Sequence, residues 1–121
     1  MSMNLYVEGT RKATVKVKGK TKSIVDRTVF GLWQTPTKVT YDILDLPTNE
    51  QKVEAYAKWA ESAVEPYEAD VYDYGSEMDD DFNYPVIGRQ VINPAADHIA
   101  EFREWLQMCD DEDYTVAFYT V

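Results

Sequence analysis

Two stretches of the chain carry a helix start signal followed by an apolar stripe, and the rest of the fold has to be arranged around them. Thr48 can cap a helix, and Gln51 stands three residues on, the spacing of a capping box. Val53, Tyr56, Ala57, Ala60, Ala63 and Val64 then recur at helical spacing, and Pro66 stops the run. Asn93 followed by Pro94 is the second start signal, with Ile99, Phe102, Leu106 and Cys109 on one face and Trp105 close to it. These patterns predict helices over 49–65 and 94–109.

The flanking segments read as strands. Leu5–Glu8 can form a short one. Ala13–Lys18 alternates, with Ala13, Val15 and Val17 on one face and Lys16 and Lys18 on the other. Gly19 marks a turn, and Thr21–Asp26 returns as the hairpin partner, placing the hairpin bases on one solvent-facing surface. Thr28–Trp33 is β-branched and aromatic. Lys38–Leu44 reads as a further strand after Pro36, with Val39, Tyr41 and Ile43 on one side. Glu68–Tyr74, Pro85–Ile92 and Tyr114–Val121 complete the set, with an acidic loop over 75–85. The expected class is α+β: a mostly antiparallel β-sheet with two α-helices packed on one face, in the order β-β-β-β-α-β-β-α-β. With 121 residues, 45% of them apolar, one core and one domain over 1–121 are expected. The core list is Val15, Val17, Val39, Tyr41, Val53, Tyr56, Ala60, Ile99, Phe102, Leu106, Val116 and Phe118.

Charge is distributed unevenly. Residues 1–40 hold eight bases and two acids, and residues 41–121 hold four bases and 20 acids, for a net −10. A duplex nucleic-acid binder carries a basic footprint, so direct duplex binding is not expected. An anionic membrane surface would repel the chain, and no apolar run is long enough to span a bilayer. Met1–Gly9 lacks the apolar core of a signal peptide. With one cysteine, Cys109, no intrachain disulfide framework can form, so a cytoplasmic location is expected. The hairpin lysines read as protection of an exposed sheet edge. They also leave open a grip on an acidic partner, or on a second copy in a homo-oligomer.

Catalytic patterns are weak. His98 is the single histidine and Cys109 the single cysteine. Eleven residues apart on one helix, they lie about 16 Å from each other. His98 reads as a helix-boundary residue and Cys109 as a small core residue. The five glycines do not cluster into a phosphate-cradling loop. Asp79, Asp81 and Asn83 match the first alternate ligands of a calcium loop, but Tyr84 replaces the glycine at its sixth position and Gln90 the glutamate at its twelfth. No metal, no cofactor and no enzymatic activity are expected, a carboxylate-based or metal-dependent enzyme being the weaker alternative.

What remains is the acidic segment with its interleaved aromatics. The candidate partner-binding residues are Glu54, Glu61, Glu65, Glu68, Asp70, Tyr72, Asp73, Tyr74, Asp79, Asp80 and Asp81. Acids at i, i+4 on a helix lie about 6 Å apart along its axis, near the spacing of phosphates on a nucleic-acid strand. Tyrosines are frequent anchors of protein interfaces. In size and charge the chain looks like the small acidic inhibitors that viruses and mobile elements use against nucleic-acid-handling enzymes, with no motif behind that likeness. The expected function is therefore an inhibitor encoded by a phage or mobile element. Its partner would be a basic, nucleic-acid-binding protein: a nuclease, a defence complex or a toxin. An immunity protein or antitoxin that neutralises a basic nuclease toxin fits the same pattern.

Overall fold

The computed structural model describes residues 1–121 and gives a mixed α+β protein built on antiparallel sheets. Its elements are β1 (Ser2–Met3), β2 (Leu5–Val17), β3 (Lys20–Gly31), β4 (Thr35–Pro36), α1 (Thr37–Leu44), α2 (Asn49–Ala63), β5 (Tyr67–Tyr72), β6 (Val86–Ile92), α3 (Pro94–Asp111) and β7 (Thr115–Thr120). The main sheet has the order β3-β2-β7, and β1-β4 and β5-β6 form separate two-stranded sheets. None of the helices is long and apolar enough to cross a membrane.

Both start signals work as their chemistry requires. The Thr48 hydroxyl accepts the Gln51 N–H at 3.2 Å, and Asn93 Oδ1 accepts the Ala96 N–H at 3.1 Å. Each satisfies an amide that the first helical turn leaves without a partner. The two helices close a core with the inner face of the main sheet. Leu5 and Val7 of β2 join Ile43, Val53, Tyr56, Ala57, Ala60, Ala95, Ile99 and Phe102 in one buried cluster. Cross-strand pairing brings Phe30 and Phe118 onto the same face as Val7, and both pack against the cluster. Val39, Leu106 and Val116 are half-buried at its margin.

Gly9 sits where β2 passes over α3. A Cβ there would lie 3.1 Å from Cys109 Sγ, 3.1 Å from Thr28 Cγ2 and 3.2 Å from Tyr114 Cβ. All three contacts would be tighter than ordinary van der Waals packing, so an added side chain would have to push its neighbours aside.

Three expectations are corrected. Residues 37–44 form helix α1, not a strand. Val39, Tyr41 and Ile43 alternate, but the residues actually buried are Thr40 and Ile43, at i, i+3. Eight residues are too few to separate a period of 2 from one of 3.6. The Thr40 hydroxyl donates back to the Pro36 carbonyl at 3.1 Å and also bonds the Thr35 hydroxyl, which satisfies a β-branched polar side chain inside a helix. Tyr41, expected in the core, is exposed.

Val15 and Val17, also expected inside, are 37% and 44% exposed. β7 pairs with β2 only from Leu5 to Thr10, so the strand continues as a two-stranded ribbon beyond anything that could cover it. Finally, the hairpin bases do not share one surface. Register pairs Val15 with Lys22 and Val17 with Lys20, which puts these two lysines on the valine face, while Lys12 and Lys16 lie on the other.

Candidate functional site

The acidic candidates fall on two separate elements. Glu54 and Glu61 lie on α2, and Glu68 to Asp81 belong to an arm formed by β5, β6 and the loop between them. α2 stops at Ala63, and Val64 is already extended, so Glu65 does not continue the helical row from Glu61. A phosphate-like ladder running through Glu61 and Glu65 is therefore not formed.

Several of these acids already have partners. Arg89 lies across from Asp70 in the β5–β6 register. Its guanidinium meets Glu68 Oε2 at 3.1 Å and Asp70 Oδ1 at 3.4 Å. Arg103 of α3 reaches Glu54 Oε1 at 2.9 Å. These are exposed pairs worth little to stability, but they reduce the charge offered to a partner. All four arginines of the chain are in ion pairs, and none of its eight lysines is.

Other acids build the arm's tip. Asp73 Oδ2 accepts the Ser76 hydroxyl at 2.6 Å and its Oδ1 accepts the Gly75 N–H at 3.0 Å. The Ser76 hydroxyl, then the Gly75 amide, hold this carboxyl below the usual carboxylate range. Asp79 Oδ1 accepts the N–H groups of Asp81 and Asn83, each at 2.9 Å. Asp79 thus serves the turn it sits in, and its carboxylate is committed to the loop's own amides. The structure places no three His, Cys, Asp or Glu side chains so as to hold a metal ion.

Glu77, Asp80 and Asp81 are left without a basic partner. They are exposed on the same loop as Tyr74, which packs on Tyr84 at a ring separation of 4.9 Å and lies 6.1 Å from Tyr72. Phe82, at the same tip, is 80% exposed and adopts a left-handed backbone with φ 63°. The structure thus brings Tyr72, Asp73, Tyr74, Asp79, Asp80 and Asp81 onto one tip. It leaves Glu54 and Glu61 on a helix, and Glu68 and Asp70 on an arginine-bridged strand face.

Sequence reasoning missed two polar constellations in the body. The Tyr56 hydroxyl accepts the Trp33 N–H at 2.8 Å and lies 2.7 Å from His98 Nε2, while the His98 and Trp33 rings stack at 4.4 Å and 9°. Burial pushes the Tyr56 hydroxyl up to about 12 and lowers the imidazole below its ordinary 6.5. The second constellation joins the root of the β2–β3 ribbon to the end of α3. Asp26 Oδ2 accepts from Tyr114 Oη at 2.8 Å and from Arg11 Nε at 3.0 Å, and Arg11 also donates to the Glu112 carbonyl at 2.7 Å. The Tyr114 hydrogen bond, then the Arg11 one, hold the Asp26 carboxyl below the usual range. Its residues come from three distant stretches of chain, so no local spacing could have shown it. Burial raises the Cys109 thiol, the opposite of what activates a nucleophile.

A scan of protein-family models gives no match, and searches of the curated proteins and of solved structures find no significant one.

Proposed function

We propose that the protein is a non-catalytic inhibitor whose β5–β6 arm occupies the basic groove of a nucleic-acid-processing protein. The observation that carries this reading is the tip. Glu77, Asp80 and Asp81 form no ion pair and share the loop between β5 and β6 with exposed Tyr74 and Phe82. Carboxylates answer the cations that line a nucleic-acid groove, and aromatic rings can insert where bases would stack. β5 and β6 pair only with each other, and a two-stranded arm of this kind can enter a concave surface. Glu68, Asp70 and Glu54, each already bridged by an arginine, contribute less than their number implies.

The source that fits best is a phage or mobile element, and the compartment is the cytoplasm, in keeping with a single unpaired, buried cysteine. The test is kinetic. Once the partner is in hand, association should slow steeply as salt rises while dissociation changes less. Replacing Glu77, Asp80 and Asp81 by Gln, Asn and Asn should reduce that salt dependence. Association rates that are flat in salt, or the same in parent and variant, would refute the assignment.

A further inference from the structure

The β2–β3 ribbon is the second arm of the molecule, and beyond its root, from Thr14 to Val25, every residue is exposed. Beyond Thr10, β2 has lost β7 and pairs with β3 alone, from Arg11↔Asp26 to Val17↔Lys20. Isolated two-stranded hairpins are marginal in water. This one also exposes Val15, Val17, Ile24 and Val25, the last by 63%. The Arg11–Asp26–Tyr114 cluster fixes its root, with the Arg11 guanidinium 4.3 Å above the Tyr114 ring, so the ribbon projects in a set direction. From Lys12 to Val25 it carries five lysines and no acid, and none of those lysines has an ion-pair partner.

The other arm is its complement. From Tyr67 to Ile92 it carries seven acids and one base, and it exposes Tyr72, Tyr74, Phe82 and Ile87. One arm offers ammonium groups on an aliphatic strand, the other carboxylates among aromatic rings. The lysines of one can pair with the carboxylates of the other and lie over its rings. No ion pair joins the two arms within one chain.

We infer that the β2–β3 ribbon docks on the β5–β6 arm of a second copy of this chain, and that the contact is reciprocal. A reciprocal pair satisfies both arms of each copy and closes with two-fold symmetry. Nucleic acid is the poorer occupant. Its phosphates offer nothing to Val15, Val17 and Ile24, and a chain of net charge −10 repels them. This inference does not depend on the inhibitor reading, since the ribbon could dock in this way whatever the acidic arm binds elsewhere. If both hold, self-association covers the tip and competes with the partner.

The experiment is sedimentation equilibrium of the full chain. At ~0.05 M salt the mass should rise with concentration from 14.0 kDa towards twice that value, and it should return to the monomer at ~0.5 M salt. A Lys20→Glu/Lys22→Glu variant and a Glu77→Lys/Asp80→Lys/Asp81→Lys variant should each raise the dimer dissociation constant by about tenfold or more, as should follow from like charges meeting. Their equimolar mixture should restore the dimer. A Lys38→Glu/Lys58→Glu variant, with the same charge change off the ribbon, should not weaken it. Circular dichroism of every variant should match the parent. The inference is overturned by a monomer at low salt, by a dimer that both arm variants retain, by loss of the dimer in the off-ribbon control, or by a monomer whose ribbon lysines bind duplex DNA.

Discussion

His98 Nε2 lies 2.7 Å from the Tyr56 hydroxyl, which already accepts the Trp33 N–H, so that one phenol ties α2, α3 and the segment after β3 together. With Trp33 donating into it, the hydroxyl can direct its own proton at the neutral imidazole. A protonated ring can no longer accept it.

This arrangement predicts a pH dependence. Burial lowers the His98 pKa below 6.5, against the opposing pull of Glu101. The unfolded chain therefore binds a proton that the folded one resists. The resulting stability is fully present above about pH 6.5 and is lost as pH falls below that value towards the folded-state pKa. Denaturant midpoints should decline as pH falls below about 6.5, and His98→Gln should flatten the decline. A profile unchanged by the substitution would place the titrating group elsewhere.

Tyr56→Phe should remove both bonds while keeping the ring. The Trp33 N–H would lose its acceptor, and the expected loss is about 1–3 kcal/mol in chemical denaturation. An effect near zero would mean that water replaces the hydroxyl.

Two glycines of one sheet should respond oppositely. Gly9→Ala sets a methyl against Cys109, Thr28 and Tyr114, and overpacking of this kind costs about 1–3 kcal/mol. Gly31→Ala meets nothing within 4 Å and should be neutral, or stabilising by up to about 1 kcal/mol. Equal effects would show that strand β2 does not approach α3 as closely as described.

Phe102 is fully buried and packs against Phe30, Tyr56 and Phe118. Phe102→Ala should cost about 3–5 kcal/mol. A change under about 1 kcal/mol would contradict its place in the core.

These particulars also show what the sequence makes legible. Helices α2 and α3 could be read because Thr48 and Asn93 announce them and long stripes follow. The turn at Gly19 could be read because its flanks alternate. Helix α1 could not, since Val39, Tyr41 and Ile43 satisfy a strand pattern over too short a run. Alternation correctly divided Val15 and Val17 from Lys16, but it says nothing about whether another element covers a face. Counting acids along the chain likewise missed Arg89 and Arg103. Cross-strand register and helix packing bring them to Glu68, Asp70 and Glu54 from outside the acidic run. The candidate site was thus legible as a segment, and its division into bridged acids and the free tip was not.

If the acidic arm takes the place of nucleic acid on a partner, the two must compete for it. The most direct measurement is a three-component binding experiment with a partner recovered from cell lysate, this protein, and a DNA or RNA strand that the partner binds. At constant salt, saturating nucleic acid should displace this protein, and saturating protein should displace the strand. The Glu77→Gln/Asp80→Asn/Asp81→Asn variant should compete more weakly. A complex in which the partner holds protein and nucleic acid together, each with undiminished affinity, would show that the arm does not occupy the nucleic-acid groove.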